Sequence, residues 1–127
     1  MAVVLDTNAV SAFFDGDAEV VSLLAAADGV CLPVIVIGEY RYGLRRSRLR
    51  QKREPQLLAF ARSVDVLSVQ ESTTLSYAAI KDELRRKGNP IPENDIWISA
   101  LALEYGCAVV SQDHHFDMVP QLTRVGW

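Results

Sequence analysis

The sequence predicts an α/β fold: a three-layer α/β/α sandwich around a mostly parallel sheet of four or five strands. Short runs of Val and Leu recur without polar alternation, which is typical of strands buried on both faces. Amphipathic segments of helical length separate these runs, as crossover connections in a parallel sheet require. No linker, repeat or low-complexity tract interrupts the 127 residues, so we expect one domain spanning 1–127.

The chain opens with a predicted strand and two helices. Residues 2–6 form a short apolar run that indicates a buried strand. Thr7 or Asn8 is suited to cap a short helix over residues 9–14. After a turn, Asp17 is suited to cap a second helix.

The middle of the chain contains two further predicted strands. Residues 30–32 form the second strand, and Pro33 then favours the first turn of a helix that should run to about Ser47. Another helix is predicted over 54–63, and residues 64–69 follow as the third strand.

Two long helices and the last strands complete the pattern. A helix is predicted over 71–87, where the proline-rich turn 89–92 ends it. The next helix should span 93–105. Residues 109–111 form the fourth strand, and 122–125 are a candidate short fifth.

Composition excludes several classes of protein. Half of the residues are hydrophobic and 23% are charged, which argues against disorder. The sequence shows no signal peptide and no apolar run of the ~18 residues that cross a bilayer, so we expect a soluble, cytoplasmic protein. Cys31 and Cys107 form no CxxC pair and are predicted to be buried thiols rather than zinc or redox groups.

Positive charge is concentrated in one stretch, although the net charge is −3. This uninterrupted strip could hold nucleic-acid phosphates. The alternative is a solvated helix end, where cations offset the helix dipole. The strip comprises seven of the thirteen basic residues: Arg41, Arg45, Arg46, Arg48, Arg50, Lys52 and Arg53.

Four acids stand out by their positions. Asp6 and Asp113 follow predicted strands, at the edge where parallel α/β sheets bind ligands. Glu39 and Asp95 lie in helices, and topology does not fix Asp95 at the same edge. Converging carboxylates would suit a divalent metal ion and phosphodiester hydrolysis. Each acid also has an ordinary reading, as a helix cap, a first-turn carboxylate, a surface residue or a loop residue.

Four motifs resemble those of the PIN-domain ribonucleases, and specifically of the VapC toxins from bacterial toxin–antitoxin pairs. They occur in the family's order and spacing across essentially the whole chain. The motifs are Leu5-Asp6-Thr7-Asn8, Ile37-Gly38-Glu39-Tyr40-Arg41-Tyr42-Gly43, Asn94-Asp95-Ile96-Trp97-Ile98 and Val110-Ser111-Gln112-Asp113-His114-His115-Phe116.

The resemblance implies a set of site residues. Asp6 and Asp95 would be the principal Mg²⁺ ligands, with Mn²⁺ able to substitute, and Glu39 and Asp113 would complete the acidic pocket. Asp117 would be a substitute or helper for Asp113. The residues expected to hold the first acid or the substrate are Thr7, Asn8, Arg41, Arg45, Arg46 and Arg48.

The resemblance also implies a function and partners. The chain would be a Mg²⁺-dependent endoribonuclease toxin, with tRNA as the leading substrate, neutralised by a cognate VapB-type antitoxin. A homodimer would form through the helices at 34–47 and 54–63. The alternative is a catalytically weak PIN-like module that acts mainly in an antitoxin and operator complex, and a DNA nuclease also stays open.

Aromatic and histidine side chains near these motifs have two readings. Tyr40, Tyr42 and Trp97 could stack on bases, but core or dimer packing suits them at least as well. The loop pair His114-His115 is expected to be exposed or to contact phosphate more often than to act in catalysis.

Overall fold

The computed structural model describes residues 1–127 and contains one five-stranded sheet with helices on both sides of it. The strands are β1 (Ala2–Leu5), β2 (Gly29–Pro33), β3 (Asp65–Leu67), β4 (Ala108–Val110) and β5 (Arg124–Val125). The helices are α1 (Thr7–Phe14), α2 (Ala18–Ala26), α3 (Val34–Leu44), α4 (Arg50–Ser63), α5 (Thr73–Arg86) and α6 (Glu93–Glu104), with a 3₁₀ helix over His114–Met118.

The strand order is β3-β2-β1-β4-β5, and every neighbouring pair is parallel. The α/β sandwich is therefore confirmed, with a fully parallel sheet of five strands. The register pairs Leu5 with Val110, so β1 and β4 end side by side. Because all carboxyl ends share one edge, the residues that follow β1 and β4 are brought together there.

The core explains the apolar runs. Val3, Val4 and Leu5 of the central strand β1 are buried, as are Val109 and Val110 of β4. Helices cover both faces of these strands, which is why no polar residue alternates with them. Cys31 and Cys107 are free, buried thiols, as predicted.

A smaller apolar cluster fixes the start of α6. Ile80 and Leu84 of α5 pack with Ile96 and Ala100 of α6. The α6 helix therefore begins at a fixed place beside the sheet edge, with Asp95 in its first turn.

The boundaries around the basic strip differ from the prediction. The α3 helix ends at Leu44 rather than near Ser47, and α4 begins at Arg50 rather than Glu54, with Pro55 inside it. The earlier start is stabilised by Arg53, whose buried side chain ties the first turn of α4 to the end of α1. Arg45, Arg46 and Arg48 consequently lie in the α3–α4 connection, whereas the first two were predicted within the helix of Glu39.

No helix is both long enough and apolar enough to span a bilayer.

Candidate active site

Asp6 lies where β1 ends and faces the end of β4. Its backbone N–H donates to the carbonyl of Val110 at 3.1 Å, which extends the β1–β4 pairing by one residue. Its side chain is only 6% exposed and accepts hydrogen bonds from Ser111 at 2.7 Å and Asn8 at 3.4 Å. Although Asp6 precedes α1, its carboxylate makes no capping bond, so the helix-cap reading is wrong.

Ser111 organises the sheet edge from the end of β4. Its hydroxyl donates to Asp6 and accepts from the backbone N–H of Asp113 at 2.9 Å and from Asn8 Nδ2 at 3.2 Å. Asn8 is fixed in turn, because its Oδ1 accepts the N–H of Gln112 at 3.2 Å. A fully buried serine thus links the segments after β1 and β4.

Asp95 and Asp113 meet at a histidine. The Nδ1 atom of His115 lies 3.1 Å from Asp95 Oδ2 and 3.0 Å from Asp113 Oδ1. Asp113 Oδ1 also accepts the backbone N–H of His115 at 2.9 Å. Ligand atoms from these three residues all lie within 4.8 Å of one another, a spacing that could hold a metal ion.

Glu39 reaches the same region from α3. Its Oε1 accepts the hydroxyl of Thr7 at 3.0 Å, and its Oε2 accepts Asn94 Nδ2 at 3.2 Å. Thr7 adjoins Asp6 and Asn94 adjoins Asp95, so Glu39 is held between the starts of α1 and α6. The placement of Asp95, which topology had left open, is thereby resolved in favour of the shared edge.

Burial and neighbouring charge raise the pKa values of the two buried acids. Burial is the main cause that raises the pKa of Asp6, and the charges of Glu39 and Asp113 raise it further, against the hydrogen bond from Ser111. Burial first, then the charges of Asp6 and Asp113, raise the pKa of Asp95 to about 6, although the bond to His115 opposes this. The four acids therefore share one electrostatic field.

The donor set fits a hard divalent cation. No Lys or Arg donates to any of the four carboxylates, whose partners are hydroxyl, amide, imidazole and backbone groups. Desolvated and mutually repelling carboxylates gain most from a cation that prefers oxygen ligands. We call Asp6, Asp95, Asp113 and Glu39 the acidic cluster. Of these, Asp95 and Asp113 belong to the group with metal-ligand spacing, and Asp6 and Glu39 adjoin it through the hydrogen bonds of Ser111 and Asn94.

Asp117, the predicted helper, has different partners. Its two oxygens accept from Nε and Nη2 of Arg124, at 2.9 Å and 3.1 Å, and its Oδ2 lies 3.0 Å from His114 Nδ1. Arg124 lowers the pKa of Asp117, whereas the cluster acids Asp6 and Asp95 have raised values. The structure thus joins Asp113, and not Asp117, to the cluster.

The basic strip divides into paired and unpaired members. Arg41 donates to Glu54 at 2.8 Å, and buried Arg53 donates to Asp15 at 2.9 Å and to the carbonyl of Phe14 at 3.2 Å. Arg53 therefore has a structural role that the sequence did not indicate. The cations that are exposed and form no ion pair are Arg45, Arg46, Arg48, Arg50 and Lys52.

The sequence assigned no role to Ser111 or Asn94, although both lie within the motifs. His115 is exposed, as expected, but its contacts with Asp95 and Asp113 were not predicted. Each is one or two residues from a cluster acid, and this proximity is the only signal that could have identified them. Their partners are distant in the chain, as shown by Ser111 with Asp6 and Asn94 with Glu39.

The PIN domain family profile matches residues 3–122. The chain belongs to the PIN domain family. This confirms the resemblance drawn from the four motifs.

Curated relatives of this PIN domain are ribonucleases of the VapC type. Ribonuclease VapC2 of Rickettsia felis is 26% identical over 132 residues, covering 100% of this chain and 98% of the relative. Ribonuclease VapC2 of Haemophilus influenzae is 29% identical over 102 residues, covering 80% of this chain and 77% of the relative.

Solved structures show the same PIN fold in toxin–antitoxin complexes. The toxin in the structure of VapBC2 from Rickettsia felis, bound to a promoter DNA fragment, superposes with a TM-score of 0.87 at 25% identity, covering 100% of this chain and 99% of that one. VapBC-1 from nontypeable Haemophilus influenzae gives a TM-score of 0.83 at 26% identity, covering 100% and 98%.

Proposed function

We propose that this PIN domain is a metal-dependent endoribonuclease toxin that hydrolyses RNA phosphodiester bonds and is neutralised by a VapB-type antitoxin. The observation that supports the proposal most is the acidic cluster, in which two buried carboxylates and two partly exposed ones meet at the sheet edge. The curated relatives are named as ribonucleases, which agrees with this chemistry.

Each cluster residue has a distinct task in the proposal. Mg²⁺, or Mn²⁺ in its place, would supply positive charge for the phosphate and make a bound water more acidic. Asp6 and Asp95 would be the principal ligands, because they are the two buried acids of the cluster. Asp113 would complete the shell. Glu39, which Thr7 and Asn94 fix and which is not buried, would also complete the shell, partly through water.

Hydrolysis of this kind would leave a 5′-phosphate and a 3′-hydroxyl. The ribose 2′-OH is not the nucleophile, so a preference for RNA must arise from binding. Thr7 and Asn8 lie beside Asp6, where they could contact the scissile phosphate. The unpaired cations Arg45, Arg46 and Arg48 could hold phosphates farther along the strand. Transfer RNA is the leading substrate that the family resemblance suggests.

The antitoxin and dimer proposals rest on surface chemistry and on the complexes formed by similar proteins. A basic antitoxin side chain entering the acidic cluster would relieve the same repulsion as a cation. Exposed Val34 on α3 and exposed Leu58 on α4 offer apolar surface for a homodimer. The rival hypothesis, a binding module with little nuclease activity, is weakened because all four acids are present and share one field.

A cleavage assay with a matched acid control tests the proposal. Purified chain should cut RNA with Mg²⁺ or Mn²⁺ and stop when EDTA is added. Asp6→Asn should abolish RNA cleavage and weaken Mn²⁺ binding measured by calorimetry. The variant should remain folded in an unfolding experiment, because the change relieves repulsion among buried carboxylates. Asp117→Asn should retain both RNA cleavage and Mn²⁺ binding, because Asp117 binds Arg124 outside the cluster. Undiminished cutting by Asp6→Asn would defeat the proposal, and mapping RNA 5′ ends in induced cells would identify the target.

A further inference from the structure

A groove adjoins the acidic cluster on one side of Glu39. It lies among α1, α3 and the α3–α4 connection and has a volume of about 290 Å³. Thr7 and Glu39, which belong to the site already described, form part of its wall. The volume is near the lower end for ligand pockets, roughly 300 Å³, so the groove could admit one nucleobase but not a duplex. We call it the Gly43 groove.

Gly43 is a lining residue of this groove that carries no side chain. A glycine inside a helix weakens the helix relative to alanine. No positive φ requires glycine at position 43, and a Cβ built there would meet no atom within 4 Å. Neither the backbone nor close packing therefore explains this glycine. Gly43 is exposed, and a long side chain at this lining position is the change expected to occupy the groove.

Tyr40 presents an unpartnered polar group to the groove. The residue is only 8% exposed, and its ring packs edge-on against Phe14 at 5.6 Å between centroids. Its hydroxyl makes no hydrogen bond within the protein. Every side-chain donor or acceptor that is fully enclosed does have a hydrogen-bond partner. The hydroxyl of Tyr40 must therefore be reachable from outside, and Tyr40 lines the groove. A ligand there would gain a donor and acceptor that is already fixed in place.

Exposed cations neighbour two lining residues of the groove in the chain. Ser47 and Leu49 line the groove, and exposed Arg46, Arg48 and Arg50 alternate with them along the chain. None of these three arginines forms an ion pair. The lining itself carries the carboxylates of Asp15 and Glu39 beside Arg53. A polyanion whose one unit occupied the groove would therefore depend on the unpaired arginines next to the lining to attract its phosphates.

We propose that the Gly43 groove is a subsite for one unpaired base of the RNA strand, next to the phosphate that is cut. This rests on the proposed function, because the groove shares Thr7 and Glu39 with the acidic cluster. The base edge would bond to the Tyr40 hydroxyl, and Arg46 and Arg48 would hold the phosphate beyond it. The protein would consequently prefer single-stranded or looped RNA around the cut.

Binding without cleavage tests this subsite. The probes are fluorescein-labelled RNA pentanucleotides of A, C or U and one mixed sequence containing G, titrated in EDTA against Asp6→Asn protein. Gly43→Met should fill the groove and weaken binding about tenfold, the effect expected for losing one bound base. Gly43→Ala is the matched control, since it changes the same backbone position but leaves the groove open, and should bind within about twofold. Tyr40→Phe should bind the RNA about threefold more weakly, as expected for the loss of one hydrogen bond.

Pentanucleotides with one abasic position sharpen the test. One abasic position should lower the affinity of the Gly43→Ala protein for the oligonucleotide about tenfold. It should cause no further loss of affinity in the Gly43→Met protein. Equal binding by Gly43→Met and Gly43→Ala, with equal melting temperatures, would overturn the subsite. Unchanged RNA binding together with weaker antitoxin binding by Gly43→Met would assign the groove to a protein segment instead. If wild-type protein cuts no RNA but Gly43→Met still loses oligonucleotide binding, the subsite stands and the nuclease proposal fails.

Discussion

The hydroxyl of Ser111 donates to Oδ2 of Asp6 at 2.7 Å, and so joins two residues that are 105 positions apart in the chain. The parallel pairing of β1 with β4 makes this contact possible, because it aligns Leu5 with Val110 immediately before the two residues. The bond lowers the pKa of Asp6 against the larger effect of burial. Ser111 therefore helps to keep a buried carboxylate ionised.

Replacing Ser111 with Ala should impair both stability and the acidic limb of activity. Asp6 would lose its strongest donor, and the groups of Asn8 and Asp113 that donate to Ser111 would lose their acceptor. We expect unfolding free energy to fall by about 1–3 kcal/mol. The pKa of Asp6 should rise further, moving the onset of cleavage to higher pH. Urea unfolding and a pH–rate profile check this, with surface Ser63→Ala as the control.

The pH dependence of metal-free stability should report Asp95. Burial and neighbouring charges raise its pKa from 3.8 to about 6, so the folded protein binds this proton more tightly than the unfolded chain. The contribution of this group to stability is then greatest below pH ~4 and falls by about 3 kcal/mol as pH rises to ~6. Urea unfolding in EDTA across this range measures the effect. Asp95→Asn should lose most of the slope, and exposed Asp82→Asn should keep it.

The affinity for divalent cations should rise with pH, in the opposite sense to the contribution of Asp95 to metal-free stability. Binding requires ionised carboxylates, so Mn²⁺ affinity should rise as pH passes through about 6, the pKa of Asp95. Thermal unfolding with and without Mn²⁺ should show a larger stabilisation at pH 7.5 than at pH 5, and EDTA should reverse it. An equal stabilisation at both values would contradict the assignment of Asp95 as a ligand.

Arg53 should affect stability rather than RNA affinity. Its guanidinium donates to Asp15, to Gln56 and to the carbonyl of Phe14. Arg53→Ala should therefore cost about 1–3 kcal/mol of unfolding free energy, because these acceptors lose their donor and the packing of the side chain is lost. Exposed Lys52→Ala should stay within about 0.5 kcal/mol. A change in the salt dependence of RNA binding by Arg53→Ala would count against this division.

The exposed cations of the α3–α4 connection should affect RNA affinity rather than stability, unlike Arg53. Replacing Arg45, Arg46 and Arg48 with Gln should leave stability nearly unchanged and weaken RNA binding. The slope of log affinity against log salt should flatten by up to about 2, since each phosphate contact on a single strand contributes about 0.7. Arg62→Gln with Arg85→Gln provides a control on other elements, where the slope should not change. Unaltered binding by the triple variant would remove the connection from the RNA path.

Local sequence was sufficient for most of the fold. Buried apolar runs marked the strands, and Asp17 marked a helix start that its side chain does cap, through the N–H groups of Glu19 and Val20. The segment around α4 was predicted less well. The helix was predicted to start at Glu54, but the contacts of Arg53 extend it to Arg50. Those contacts are tertiary, so no local pattern could indicate them.

The sequence by itself determined that acids follow strands in an α/β chain, and the motif order was enough to expect a nuclease-like cluster. Only the tertiary structure decided that Asp95 belongs at the sheet edge, that Asp113 rather than Asp117 joins it, and that Ser111, Asn94 and His115 hold these acids. Propensity and periodicity act over a few residues and are visible in sequence. Desolvation, charge repulsion and hydrogen bonding act through space, so they exist only once distant segments have packed together.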